Sequence, residues 1–130
     1  MTHDDTTTVA ELKARQADFV AERDWEKFHT PRNLAMALSV EAGELLDLFL
    51  WISDHPDIPG RKAPDPQKVR HEVADVAICL LNFCRMSDID LAAAIAEKTS
   101  LNAAKYPAAD VRGSAEKYDE IRARSGVTQG

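Results

Sequence analysis

Apolar residues recur every three or four positions along four stretches of the chain, a spacing that predicts amphipathic α-helices. Each stretch begins at a threonine or aspartate that can cap a helix N-terminus; in two cases a proline follows at the first helical position. The first start also carries glutamate three residues after its threonine, as in a capping box. The pattern therefore predicts helices over about residues 8–24, 30–51, 65–86 and 90–106.

The connecting stretches lack such periodicity. Residues 53–66, "SDHPDIPGRKAPDP", hold four prolines and a glycine, which predicts an irregular loop long enough to serve as a lid. After Pro107 the chain becomes polar, and "AEKYDEIRAR" (115–124) predicts at most a short helix that adds little to the core. Because no strand pattern remains, we expect an all-α fold. At 130 residues it should be a single domain, with its helical core at about 8–106 and a tail over 107–130.

Two of the predicted helices are apolar on more than one side. "VAICLLNFC" (76–84) is apolar almost all the way round, as is much of "LAMALSVEAGELLDLFLW" (34–51). A four-helix domain of this size cannot bury every face of both helices by itself. We therefore expect a symmetric homo-oligomer, a dimer or a dimer-of-dimers tetramer, that completes the four-helix bundle.

Composition and charge exclude several classes of function. The net charge of −6, without clustered lysine and arginine, argues against binding to a nucleic acid polymer. No apolar stretch reaches the roughly 18 residues of a membrane span, and "MTHDDTTTVA" lacks the features of a signal peptide, so we expect a cytoplasmic protein without a membrane partner. Cys79 and Cys84 have neither disulfide nor zinc-site spacing and are expected in the core.

Acidic residues interrupt the two most apolar helices. Glu41 falls in the middle of the apolar stripe of the second helix, and Glu44 lies one turn further on. Glu72 and Asp75 repeat the spacing on the third helix. Burying a charge without a partner destabilises a protein by roughly several kcal/mol. If the two helices pack antiparallel, their four carboxylates would converge as oxygen ligands suited to Mg²⁺, with Mn²⁺ as a substitute. One such pair is usually surface charge, but two pairs on neighbouring apolar helices favour a metal site.

Two other metal chemistries do not fit the spacing. Ferritin-like di-iron bundles use E-x-x-H, and neither acidic pair has the histidine. The stretch "HEVAD" (71–75) places aspartate where H-E-x-x-H needs its second histidine, so it is no zinc-protease motif.

Further residues have the chemistry to bind a ligand next to such a site. Lys98, Asn102 and Lys105 share one face of the fourth helix and are suited to phosphate oxygens, although a solvated helix face is the simpler interpretation. Aromatic side chains at the ends of the first two helices can stack on a planar base, or else fill the core. These candidates, with a neighbouring histidine, are Trp25, Trp51 and His29.

The acidic pattern E41-x-x-E44, 27 residues, then E72-x-x-D75 resembles the signature of the all-α nucleoside triphosphate pyrophosphohydrolases of the MazG type. The stretches "FVAERDWEKFHTPRNLAMALSVEAGELLDLFLW", "HEVADVAICLL" and "KTSLNAAKYP" are similar to its dCTP pyrophosphatase branch, over residues 19–107. Two positions depart from that branch, since eukaryotic members carry histidine at Gln16 and tyrosine at Cys79. The resemblance implies that both positions belong to or adjoin the nucleotide pocket, so base preference does not transfer.

The resemblance implies Mg²⁺-dependent hydrolysis of a nucleoside triphosphate, dCTP or a related or modified pyrimidine deoxynucleotide, to monophosphate and pyrophosphate. It implies that the four acidic residues bind the metal. Among them we expect either Glu41 or Glu44 to orient the attacking water, although the sequence does not distinguish base from ligand. It further implies that the two tryptophans enclose the base, and that Lys98, Asn102 and Tyr106 contact sugar and phosphates. The alternative is a non-catalytic helical interaction or regulatory domain with a structural divalent-metal site.

Overall fold

The computed structural model describes residues 2–53 and 55–124. These residues form a short 3₁₀ turn, Glu26–Phe28, and the α-helices α1 (Val9–Ala21), α2 (Pro31–Phe49), α3 (Pro66–Met86), α4 (Leu91–Lys105), α5 (Ala108–Val111) and α6 (Tyr118–Arg124). Within the described ranges the only β-type pairing is an isolated bridge between Ile52 and Arg61. The expected all-α fold class is thus confirmed. No helix in those ranges is long and apolar enough to cross a bilayer.

The four long helices begin where the capping residues predict. The Thr8 hydroxyl accepts the Glu11 N–H at 3.2 Å, and the Glu11 carboxylate accepts the Thr8 N–H at 2.7 Å, which completes the capping box. Side-chain oxygens of Thr30, Asp65 and Asp90 each accept one backbone N–H from the first turn of α2, α3 and α4. Each cap satisfies a backbone donor that the first helical turn leaves unpaired.

The ends of α1 and α2 fall earlier than the sequence predicts. α1 stops at Ala21 because Asp24 takes a left-handed conformation (φ 53°) and the chain turns into the 3₁₀ segment. α2 stops at Phe49 because Trp51 is also left-handed (φ 62°). Only Gly and, less readily, Asn or Asp adopt this region at low cost, so Trp51 must be held there by its surroundings.

The chain divides into two compact units, Met1–Ile89 and Asp90–Gly130. In the first unit α2 packs against α3, and α1 packs against α3. Its buried apolar side chains are Val20, Leu34, Leu81 and Cys84. In the second unit Ile121 of α6 is buried at 5% exposure, so the expectation that stretch 115–124 adds little core is wrong at this position.

A polar network ties the 3₁₀ turn to α3 within the first unit. Arg85 donates to the Glu26 carboxylate at 2.8 Å and to the Asn82 side-chain oxygen at 3.3 Å. Asn82 is 2% exposed and donates in turn to the Ile78 carbonyl. The network fixes the segment that carries Trp25 and His29 against the helix that carries Glu72 and Asp75.

Replacing Arg85 with methionine should therefore destabilise the protein. The substitution leaves the buried Asn82 oxygen without its donor, and such an orphaned group costs about 1–3 kcal/mol. Chemical denaturation with urea measures the loss. Lys27→Met is the matched control, because the Lys27–Asp24 pair is exposed and such pairs contribute about 0–1 kcal/mol. Equal stability losses in the two variants would contradict a structural role for the network.

Candidate functional site

Three carboxylates from two helices meet on the first unit. One oxygen from each of Glu41, Glu72 and Asp75 lies within 4.8 Å of the others, a spacing that one metal ion can bridge. Glu41 projects from the middle of α2, between turns that carry Leu38 and Leu45. The other two project from the N-terminal half of α3, one helical turn apart. Packing of α2 on α3 thus brings together three of the four predicted ligands.

The electrostatics of this cluster favour a bound cation. Partial burial, followed by the charges of Glu44 and Asp75, raises the pKa of Glu41 above its ordinary value. Oε2 of Glu72 is buried and has no hydrogen-bond partner among the described residues. A buried carboxylate oxygen without a donor is costly. The donor set consists entirely of carboxylate oxygens, which Mg²⁺ and Mn²⁺ prefer, so these residues fit a divalent cation.

The fourth predicted ligand, Glu44, is placed differently. It is exposed, and its oxygens are not part of the 4.8 Å group formed by the other three carboxylates. It is nevertheless close enough to Glu41, one turn earlier on α2, for its charge to raise the pKa of that carboxyl. Glu44 therefore borders the cluster on its solvent side.

The raised pKa of Glu41 makes stability depend on pH. The folded protein holds the Glu41 proton more tightly than the unfolded chain, whose glutamate titrates near 4.5. Stability of the metal-free protein should therefore fall as pH rises from about 4.5 through the folded pKa, and stay lower above it. Thermal unfolding of wild type and Glu41→Gln across this range, in the presence of a chelator, measures the effect.

The substitution should flatten this part of the profile and raise the melting temperature on the alkaline side of the transition. Glu97→Gln, at an exposed position on α4, is the matched control and should leave the profile unchanged. Superimposable pH profiles for wild type and Glu41→Gln would contradict the assignment.

Cys79 lies beside the carboxylate cluster, whereas the sequence pattern predicts it as a small core residue. It lies one turn after Asp75 on α3 and is partly buried. Burial, then the charges of Glu41 and Asp75, raises the pKa of its thiol, which keeps the group neutral. The i, i+4 spacing from Asp75 is the sequence signal that places it beside the carboxylates.

The predicted base-binding residues of the first unit are accessible to different degrees. Trp25 is 45% exposed and packs edge-on against Phe19, with ring centroids 6.0 Å apart. Trp51 is 76% exposed, which excludes a core-filling role within the described chain. His29 is partly buried, and its Nδ1 has no hydrogen-bond partner among the described residues.

The predicted phosphate-binding residues all lie in the second unit. Lys98, Asn102 and Lys105 are exposed on α4, and Tyr106 is its partly buried C-cap. The Lys105 ammonium lies 4.4 Å from the ring centroid of Tyr118, which meets Tyr106 edge-on at 5.6 Å. These aromatic contacts, which the sequence did not indicate, hold the lysine at the C-terminal end of the helix.

The chain matches a known protein family over the helices that carry the carboxylates. The sequence model of the MazG-like family matches residues 36–121, which include all four acidic residues of the E-x-x-E and E-x-x-D pairs. This chain belongs to the MazG-like family.

Proteins named as pyrophosphatases are similar to this chain over most of its length. dCTP pyrophosphatase 1 of Rattus norvegicus is 41% identical over 117 residues, which cover 88% of this chain and 68% of that protein. The Homo sapiens protein of the same name is 39% identical over 115 residues, with the same coverage. The crystal structure of a pyrophosphatase from Archaeoglobus fulgidus aligns with a TM-score of 0.65 at 30% identity, covering 82% of this chain and 99% of that one. Both the similar sequences and the similar structure are thus named pyrophosphatases.

Proposed function

We propose that the protein is a deoxynucleoside triphosphate pyrophosphohydrolase that requires a divalent cation, Mg²⁺ with Mn²⁺ as a substitute. The observation that carries this proposal is the convergence of Glu41, Glu72 and Asp75, with an unpartnered buried oxygen on Glu72. The relatives and the structural neighbour that are named pyrophosphatases favour the reaction, in which water adds across the bond between the α- and β-phosphates to give monophosphate and pyrophosphate. The relatives named dCTP pyrophosphatase favour dCTP, or a related or modified pyrimidine deoxynucleotide, as substrate.

The four carboxylates have two proposed roles, binding of the cation and proton transfer from the attacking water. Glu41, Glu72 and Asp75 would hold the cation, and Glu44, which borders them on the solvent side, would complete the set. When bound, the cation supplies positive charge against the phosphates and lowers the pKa of a bound water. Glu41 and Glu44 are the candidates for orienting the attacking water and accepting its proton. No covalent nucleophile is needed.

The remaining predicted residues would bind the nucleotide. Trp25, Trp51 and His29 are proposed to contact the base, since exposed indole rings offer flat apolar faces for stacking. Lys98, Asn102, Lys105 and Tyr106 are proposed to contact the sugar and the phosphates, where ammonium and amide groups donate to anionic oxygens.

We infer that the active form is a homo-oligomer. α2 and α3 expose an apolar groove of about 490 Å³, lined by Ala42, Leu45, Leu46, Phe49, Val69 and Val73. Within this lining, Leu46 is 68% exposed and Val73 is 50% exposed. A second copy of the same helices would cover this surface in a dimer, and further copies in a dimer of dimers.

We also infer that residues 1–130 act as one functional domain. The match to the MazG-like family runs from residue 36 to 121 and so crosses the boundary between the two compact units at residues 89 and 90. A cytoplasmic location stays a prediction from the sequence.

Product analysis tests the proposed reaction. The purified protein is incubated with Mg²⁺ and each canonical deoxynucleoside triphosphate, then with 5-substituted dCTP, and the products are separated by ion-exchange chromatography. Monophosphate plus pyrophosphate in equal amounts supports the proposal, and labelled water identifies the attacked phosphorus. Metal binding without any turnover that depends on Glu41 or Asp75 would instead support the non-catalytic alternative.

A further inference from the structure

Trp51 has a backbone conformation that a tryptophan rarely adopts. Its φ of 62° lies in the left-handed region, which is unfavourable for a bulky side chain. Such residues persist where surrounding contacts over-determine the backbone, and they are frequent at functional sites. The indole of Trp51 is 76% exposed. The contacts that hold this residue are therefore not made by burial of its own ring.

Arg61 supplies the first set of these contacts. Its guanidinium donates to the carbonyls of Leu50 at 3.2 Å and Asp47 at 3.3 Å, where α2 ends. The last turn of α2 carries no basic residue of its own. Arg61 thus supplies a donor to the Leu50 carbonyl and a second donor to the Asp47 carbonyl, which also accepts the Leu50 N–H at 3.2 Å. Its charge is favourable at a helix C-terminus. Its backbone N–H also donates to the Trp51 carbonyl at 2.8 Å.

Gly60 supplies the second set of contacts that hold the backbone of Trp51. A Cβ atom at this position would lie 2.6 Å from the Ser53 nitrogen and 2.8 Å from the Trp51 oxygen. Both are backbone atoms, which cannot move aside as a flexible side chain can. Glycine is therefore required for the two ends of the loop to approach this closely. We call the contacts of Gly60 and Arg61 with residues 47–53 the Arg61 clamp.

We propose that Arg61 and Gly60 are positioning residues that hold Trp51 as a preformed stacking platform for the base of the substrate. This inference rests on the proposed function, because it takes the ligand of Trp51 to be a nucleobase. Without the clamp, Trp51 would return to commoner backbone conformations, and the ordering of its ring would have to accompany nucleotide binding. Neither residue touches the reacting phosphates in this proposal.

Kinetics separate positioning from catalysis. We expect Arg61→Met and Gly60→Ala to raise KM roughly tenfold, within the range that stacking of one base on an aromatic ring supplies, while kcat stays within about twofold. Arg61→Lys retains a cation that can reach the same carbonyls and should restore part of the affinity. Lys62→Met, at the exposed neighbouring position, is the matched control and should keep the wild-type KM.

Fluorescence tests the clamp without any nucleotide. In a Trp25→Phe background Trp51 is the sole tryptophan, so time-resolved anisotropy reports the motion of its ring. Arg61→Met and Gly60→Ala should both increase that motion and accelerate amide exchange at residues 51–53 and 55–61.

Each outcome has a distinct meaning. Unchanged Trp51 motion in Arg61→Met would overturn the clamp, whatever the enzyme hydrolyses. Increased motion with an unchanged KM would overturn the positioning role. A wild-type protein that hydrolyses no nucleotide would refute the proposed function and the nucleobase as ligand, while the anisotropy experiment would still decide whether the clamp exists.

Discussion

Replacing Glu72 with glutamine should reduce pyrophosphohydrolase activity by more than about a hundredfold while leaving the metal-free protein at least as stable as wild type. Glu72 offers a buried, unpartnered oxygen to the cluster shared with Glu41 and Asp75. Replacing a residue that hydrogen-bonds to a metal ligand typically lowers metal affinity or activity roughly 10–100-fold, and replacing a direct ligand should lower activity further. In the absence of metal, the neutral amide removes repulsion among the carboxylates.

Two measurements check this prediction together. Mg²⁺ should raise the melting temperature of wild type, because a ligand that binds only the folded state stabilises it, and Glu72→Gln should lose that shift. Glu97→Gln, the exposed control on α4, should keep both activity and shift. If Glu72→Gln instead lowers the metal-free melting temperature by several degrees, Glu72 acts in folding and the metal role is wrong.

Local chemistry in the sequence predicted the starts of the helices. Thr8, Thr30, Asp65 and Asp90 cap α1 to α4 as expected, and α3 spans Pro66–Met86 as predicted. A cap involves a side chain and backbone only two or three residues away, so it is readable from sequence alone. The ends of α1 and α2 depend on the left-handed conformations of Asp24 and Trp51, which no hydrophobic period indicates.

The site was predictable to the extent that helical periodicity governs it. Placing Glu41 on an apolar stripe requires only the angle of 100° per residue, and the structure finds it partly buried there. The division of labour between Glu41 and Glu44 depends on how α2 rotates against α3, which spacing does not give. The Arg61 clamp depends on hydrogen bonds between residues 11–14 positions apart, joined by a loop. No periodicity in the sequence predicts such contacts.

Replacing Leu46 with aspartate should dissociate the homo-oligomer that we propose. Leu46 is 68% exposed in the single chain and lines the apolar groove on α2 and α3 that we assign to the subunit interface. An unpaired charge placed in a desolvated interface costs several kcal/mol, so the dissociation constant should rise by more than about a hundredfold. Sedimentation velocity at matched concentrations measures the change in mass.

Ile58→Asp provides the control, because Ile58 is comparably exposed at 60% but lies in the loop after α2, outside the groove lining. It should leave the oligomer intact. Helical content by circular dichroism separates dissociation from unfolding in both variants. A Leu46→Asp protein that keeps the wild-type mass would exclude this groove as the interface. A wild-type protein that sediments as a monomer would exclude the oligomer itself, and the apolar surface of α2 and α3 would then need a different partner.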